Sequence, residues 1–421
     1  MSSPSSLKVA VVSDLHFANS EKIQDSRSHS WLIFEPDGSM KSVFWSSLLK
    51  KIKEDNLTAD ILVCPGDITT HAEGSALKYA WERLNELAQA LGCSILATAT
   101  GNHDVNSRVK PLNNPIRDLD KDHSLVENLK QLAPAYPLVN LKSPCEIAAH
   151  ENRIKYFGAD FLFIPDDEQY NLVILNSCAS HTNSAESYER GYVSTSTHQW
   201  LEDALKAHYN PQRKKVGILV CHHHPILHSD HNIGTYDFMK GGNELLQMLN
   251  KYGNWIVIHG HKHHAKLSYF ADGSRNTVVF SAGTLSHHKD ELGDDFTNQF
   301  YLIDIDSSKT RGVPKGTMSV YSWQANHWAL SKRRKDGIFT GVGFGEVGCL
   351  EELADDISQE VHPITGLSWD NLLKMFPQLN FRLPKDLEHL ESHLQALNID
   401  ITTNTDGEFA KLEKSEVPND D

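Results

Sequence analysis

Apolar positions along the chain change period in a regular order. Val9 to Val12, Ile61 to Cys64 and Cys93 to Ala97 are short apolar runs closed by polar or turn residues, which predicts strands. Between them, Val43 to Ile52 is apolar at positions 44, 45, 48, 49 and 52, and Ala76 to Leu91 keeps the same helical spacing. This βαβαβ opening is followed by further runs that read as strands: Tyr156 to Phe157, Leu172 to Leu175, Val216 to Cys221, Trp255 to Ile258, Thr277 to Phe280, Phe300 to Ile305 and Met318 to Trp323. Helices are predicted over about Thr197 to Ala207 and Asn243 to Tyr252. Strands outnumber helices in the second half. The pattern predicts an α/β sandwich of two mixed sheets, or one large mixed sheet, layered with helices.

Two stretches break the rhythm. Ala18 to Met40 reads as a long polar insertion directly after the first strand, a place where loops commonly reach over a site. From about Ser331 a basic cluster (Lys332, Arg333, Arg334, Lys335) leads into a Gly-rich segment and two helical patterns, around Trp369 to Phe376 and Leu387 to Leu397. The chain therefore divides into a main domain over 1–330, a small module over 331–401 with no assigned role, and an acidic segment over 402–421 that reads as a frayed tail.

Charge narrows the partners. Forty Lys and Arg against 55 Asp and Glu leave a net charge of −15, so a coating of extended polyanion is disfavoured and nucleic acid is a secondary expectation. Hydrophobic residues at 39% and charged residues at 23% exclude wholesale disorder and a membrane-embedded body. No apolar run is long enough to span a bilayer and the first residues lack an apolar h-region, so no membrane partner and a cytoplasmic location are expected. Six Cys show no paired spacing and imply neither a disulfide framework nor a Cys metal site. The 24 His are the unusual count, because imidazole is the commonest metal ligand.

Their positions coincide with strand ends. The first strand runs into Asp14 and His16, two apart and able to face one ion. The second runs into Gly66 and Asp67, where glycine permits a tight turn beneath the carboxylate. The third ends in Gly101, Asn102, His103 and Asp104: a neutral oxygen ligand, a proton carrier, and a carboxylate able to orient that imidazole. Cys221, His222, His223, His224 and Pro225 follow the strand at 216–220, and Gly260, His261, Lys262, His263 and His264 follow the strand at 255–258. Open α/β sheets gather sites outside the carboxyl ends of strands, so all five clusters should converge on one edge. His228, His231, His264, His287 and His288 also follow strand ends and are weaker candidates for lining a pocket.

In this order, Asp14-x-His16, Gly66-Asp67, Gly101-Asn102-His103-Asp104, His223-x-Pro225 and Gly260-His261-x-His263 resemble the calcineurin-like metallophosphoesterase family, including its class III cyclic nucleotide phosphodiesterase branch. The resemblance runs from about Val9 to about Tyr321. It implies a four-layer αββα sandwich of two mixed sheets and a pair of divalent ions. It further implies a first ion on Asp14, His16, Asp67 and His263, and a second on Asp67, Asn102, His223 and His261, with His223 chosen because the family's histidine lies two before the proline. His103, held by Asp104, would stabilise charge on the phosphoryl group or protonate the leaving alkoxide.

Mixed carboxylate, amide and imidazole donors suit Mn²⁺, Fe²⁺ or Zn²⁺ better than all-oxygen ions. Two such ions about 3.5 to 4 Å apart can share a hydroxide and clamp phosphate oxygens during in-line displacement. The expected activity is a phosphodiesterase or phosphatase on a small phosphoester such as a cyclic nucleotide. The alternatives are a DNA nuclease of the same superfamily and a scaffold whose C-terminal module binds a protein.

Overall fold

The computed structural model describes all residues except 1–5, 24–29, 71, 107–125, 166–168, 182–183, 213–214, 229–235, 237, 273–274, 289–296, 307–311 and 416–421. His231 of the candidates therefore lies outside the described residues.

Strand alternation sorts the core into two layers. In the strand Tyr170–Leu175, Leu172 and Ile174 enter the large central cluster, while Val173 and Leu175 enter a second one. The neighbouring Val216–Val220 and Asn254–His259 divide the same way: Ile218, Val220, Ile256 and Ile258 face inward, and Leu219, Trp255 and Val257 face outward. A strand buried on both faces reads as a continuous apolar run, which is why these segments show little polar alternation.

These strands belong to a six-stranded mixed sheet that runs from Lys266–Asp272 through Arg275–Ser281, Asn254–His259, Val216–Val220 and Tyr170–Leu175 to Phe161–Pro165. The other sheet has eight strands. Ser6–Val11 lies at its centre, parallel to Ile61–Cys64 and antiparallel to Gln299–Asp306, with Val9 opposite both Ile61 and Ile303. Helices Phe44–Glu54 and Gly74–Ala90 cover the eight-stranded sheet with Phe44, Leu48, Leu77, Trp81 and Leu84. Helices Thr195–His208 and Gly242–Lys251 cover the six-stranded sheet with Leu201, Leu205, Leu245 and Leu249. The result is the expected αββα order of layers.

Three expectations change. Tyr156 and Phe157, read as a strand, lie inside the helix Glu146–Ala159, where they are its two buried residues. The insertion at 18–40 is less polar in effect than in composition: Leu32, Ile33 and Phe34 are buried, and Ala18–Asn19 pairs with Ile33–Phe34. Of the segment expected as a frayed tail, residues 402–403 end the strand Ile399–Thr403 and residues 409–414 form its partner Phe409–Lys414, whose Leu412 is buried in the core.

The C-terminal module contains helices Leu350–Glu360, Trp369–Met375 and Pro384–Ala396 beside that hairpin. It shares the core of the main domain instead of standing apart. The short strand Gly343–Phe344 pairs with Lys315–Gln324 of the eight-stranded sheet, and Phe344 is fully buried. Burial of one such aromatic contributes about 1.5–3 kcal/mol. Arg334, from the basic cluster, pairs with Glu391 and lies 4.5 Å over the ring of Phe409. The boundary near 331 is thus a change of sequence character and not a gap in packing.

Candidate metal centre

Parallel register brings the motifs together. Ser6–Val11, Ile61–Cys64 and Ile95–Thr98 run in one direction, so the loops that leave them share one edge of the eight-stranded sheet. Val216–Val220 and Asn254–His259 are also parallel and deliver the two histidine-rich loops at the facing edge of the other sheet. The loops are stitched to each other: Asp14 N donates to the Gly66 carbonyl (3.2 Å), His16 N to the Asp67 carbonyl (3.0 Å), and Gly260 N to the His222 carbonyl (3.1 Å).

Five of the candidate ligands sit in left-handed backbone: Asp14 (φ 51°), His16 (52°), Asp67 (52°), His261 (87°) and His263 (61°). Each such conformation costs a non-glycine residue on the order of 1–3 kcal/mol, and strain of this kind collects at functional sites. Glycines make the close approach possible. A Cβ on Gly101 would overlap the backbone nitrogen and Oδ1 of Asp67, and one on Gly260 would overlap Ser13 Oγ and Asp14 Oδ2.

The donor atoms form linked groups. Asp14, His16 and His263 lie within 4.8 Å of one another, as do Asp14, Asp67 and His222, and also His222, His223 and His261. His16 Nε2 and His263 Nε2 are 3.2 Å apart, and His263 Nε2 is 3.5 Å from Asp14 Oδ1. His222 Nε2 lies 2.9 Å from Asn102 Oδ1, 3.2 Å from His261 Nδ1 and 3.4 Å from Asp67 Oδ2. Two donors about 2.0–2.2 Å from one ion, at tetrahedral or octahedral angles, stand about 2.8–3.6 Å apart. The observed separations fall in that interval, so these residues fit a pair of divalent ions.

The outer contacts orient the imidazoles. His222 Nδ1 donates to the Pro65 carbonyl (3.1 Å) and His261 Nε2 to the Glu189 carbonyl (2.7 Å), which leaves His222 Nε2 and His261 Nδ1 facing each other across the site. A neutral His222 would then present a lone pair to oxygens that are themselves acceptors. Burial pushes its pKa down, but the Asp67 carboxylate outweighs this and raises it to about 9: a proton is held where a cation is wanted. Burial alone would raise the pKa of Asp67, yet the surrounding histidines, His222 foremost, keep it well below the usual carboxylate range. Burial holds His16 down to about 4 and His261 well below its ordinary value, so both stay neutral as ligands must.

Two sequence assignments sit differently. His223, selected by its distance from Pro225, turns its Nδ1 to Ser177 Oγ (2.8 Å), while its neighbour His222 meets Asn102 and Asp67. Asp104, expected to hold His103, accepts at Oδ1 from Thr69 N and Oγ1 (3.0 and 3.3 Å) and at Oδ2 from Gly101 N (2.9 Å). It therefore ties the Asp67 loop to the Asn102 loop. Burial, and then repulsion from Asp67, raise its pKa to about 7. His103 lies beside the centre, its ring 5.1 Å from that of His16 and its backbone N–H donating to Asp67 Oδ1 (2.8 Å). His287, one of the weaker candidates, also reaches the rim, its ring 4.7 Å from that of His263.

Residues 7–265 match the family model of the calcineurin-like phosphoesterases. The chain belongs to that family, a class of metal-dependent phosphoesterases. Residues 342–396 match a model for a calcineurin-associated winged helix-turn-helix module. Similar solved structures include a purple acid phosphatase from yellow lupin (Lupinus luteus) seeds, at 14% identity and TM-score 0.47, covering 77% of this chain and 53% of that one. Vps29 from Entamoeba histolytica aligns at 11% identity and TM-score 0.32 over 77% of this chain and 97% of its own. A predicted phosphoesterase from Streptococcus pneumoniae aligns at 11% identity and TM-score 0.27 over 78% of this chain and 98% of its own. No curated protein matches the chain. No helix among the described residues is long and apolar enough to cross a membrane.

Proposed function

We propose that the protein hydrolyses a small phosphoester at a pair of divalent ions drawn from Mn²⁺, Fe²⁺ or Zn²⁺. Asp14, His16, Asp67 and His263 would hold the first ion, and Asp67, Asn102, His222 and His261 the second. His222 replaces His223 in this set. When bound, such a pair supplies a nucleophile at neutral pH and clamps the phosphate oxygens during in-line displacement. The observation that carries the reading is the set of donor separations around His222 Nε2, 2.9 to 3.4 Å, with Asp67 reaching toward both halves of the site.

The chain's own residues set the rest of the chemistry. Asp67 is kept ionised by the histidines around it and so remains available as the shared ligand. His103 stands at the edge of the first ion's ligands, where it stabilises charge on the phosphoryl group or passes a proton to the leaving oxygen.

A rim beside the second half favours an aryl-bearing phosphoester such as a cyclic nucleotide. The backbone segments near Gly191 and Lys240 are hydrogen-bonded to each other, and Glu189 in the first of them holds His261. Together they present the exposed Tyr192 and Phe238, with the Arg190 guanidinium 5.1 Å over the Phe238 ring. Aromatic faces accept a base by stacking, and cations accept phosphate. The nuclease alternative has less support, because residues 342–396 contain ten acidic and three basic residues, and helix Leu350–Glu360 carries five acids and no base.

A hydrolysis panel with added Mn²⁺ tests the proposal, using p-nitrophenyl phosphate, bis-p-nitrophenyl phosphate, cyclic mononucleotides, and single- and double-stranded DNA. Turnover of the small esters with DNA untouched is expected. Preferential cleavage of DNA would favour the nuclease, and inertness of the metal-loaded protein toward every substrate would favour the scaffold.

A further inference from the structure

Beside the binuclear centre lies a second group of soft donors. The strand Tyr170–Leu175 runs into a tight turn in which His181 N donates to the Cys178 carbonyl (3.1 Å), so residues 178 and 181 present their side chains from one bend. Both meet His223. Cys178 Sγ is 4.0 Å from His223 Nδ1, the rings of His181 and His223 are 5.3 Å apart, and the three donor atoms lie within 4.8 Å of one another. All three side chains are buried.

We propose that Cys178, His181 and His223 form a separate single-ion site for a soft divalent cation of the Zn²⁺ class. The proposal rests on the reading that His222, and not His223, serves the binuclear centre. One thiolate and two imidazoles select Zn²⁺ over hard oxygen-seeking ions. Two donors three residues apart on one turn are the usual spacing of structural zinc ligands. Zn–S near 2.3 Å and Zn–N near 2.0–2.1 Å put sulfur and nitrogen about 3.5 Å apart across a tetrahedral ion, so the observed gap has to close by about half an ångström. Ser177 Oγ, 2.8 Å from His223 Nδ1, is placed to fill or hydrate a fourth position. Binding would end the bond that Cys178 Sγ now donates to the Thr100 carbonyl (3.1 Å).

The ion would act on the binuclear centre through position. Tyr192 N donates to the Ser177 carbonyl (3.0 Å), and Gly191 lies against the His223 ring so closely that an added Cβ would sit 2.8 Å from His223 Cβ. Fastening the turn to His223 therefore also fastens the wall whose Glu189 carbonyl orients His261.

Cobalt substitution separates this site from the binuclear one, because the proposed binuclear ligands are all oxygen and nitrogen donors. Co²⁺ titrated into the full-length chain should give a thiolate-to-cobalt charge-transfer band and three bound ions. Cys178→Ser should lose the band and one ion, and His181→Ala should shift the band's titration to at least tenfold higher Co²⁺. Asp67→Asn should lose the binuclear ions and keep the band, so the two readings fail independently. A cobalt-saturated wild type without a thiolate band overturns the proposal whether or not any variant folds. So does a band unchanged in Cys178→Ser, which would belong to an exposed thiol such as Cys145 or Cys349.

Discussion

Gly101→Ala is the substitution for which the structure makes the sharpest demand. A Cβ there would overlap Asp67 N and Oδ1 and lie 2.8 Å from Asp67 Cα, whereas apolar contacts settle near 4 Å. Asp67 must therefore retreat by about 1 Å, several times the roughly 0.2 Å tolerance of a metal–ligand bond. The retreat would pull its carboxylate out of the backbone bond from His103 N (2.8 Å) and away from His222 at 3.4 Å. Overpacking of this kind costs about 1–3 kcal/mol of stability. Displacing the shared ligand should lower the affinity for both ions by about 10- to 100-fold, the scale seen when the support of a metal ligand is removed. Competition with a fluorescent chelator reads the affinity, and melting reads the stability. Gly158→Ala, in helix Glu146–Ala159 with nothing within 4 Å of the added methyl, is the matched control and should be neutral or stabilising. A Gly101→Ala protein that binds both ions with wild-type affinity would refute the placement of Asp67 between them.

His103→Ala should keep both ions and lower kcat by about 10²-fold or more, read by metal analysis beside bis-p-nitrophenyl phosphate turnover; an emptied site would make His103 a ligand instead. In the metal-free protein the His222 pKa is raised from 6.5 to about 9, so the proton's stabilising effect is full below 6.5 and fades as pH rises through 9. Because the second ion must displace that proton, its apparent affinity should climb about tenfold per pH unit up to pH 9 and then level. The slope should vanish in His222→Ala and persist in His223→Ala, as measured by chelator competition across pH. Ending the chain after Leu330 should expose the edge that Gly343–Phe344 covers and lower the melting temperature or the solubility; a soluble truncate with the full chain's melting temperature would contradict the shared core.

Residue type at strand ends singles out most of the side chains that the fold gathers. Asp14, His16, Asp67, Asn102, His261 and His263 were identifiable because a carboxylate, amide or imidazole after a buried apolar run has no packing reason to be there, and parallel register then forces the loops together. The choice among His222, His223 and His224 was not readable. Selecting one requires the phase of the chain beyond Val220, and that is fixed by tertiary contacts such as Pro65 O to His222 Nδ1. Left-handed backbone at five of the candidate ligands likewise breaks simple strand alternation. Adjacency of Asp104 to His103 suggests a partner, but adjacency in sequence does not report where a turn sends the carboxylate oxygens, which here meet Thr69 and Gly101. In the segment 402–421, the strand Phe409–Lys414 places only Leu412 fully in the core, and one buried apolar residue among acidic and polar neighbours gives no period to read. Tyr156 and Phe157 show the same limit, since a two-residue apolar run has no period.

Asp67 is proposed to join two ions in one centre. Electron paramagnetic resonance of the metal-free chain reloaded with two equivalents of Mn²⁺ tests this most directly, since two ions sharing a carboxylate are magnetically coupled and isolated ions are not. An exchange-coupled pair signal in the wild type, lost in Asp67→Asn together with phosphoester turnover, is the predicted result. A six-line signal of uncoupled Mn²⁺ in a fully active wild type would contradict it.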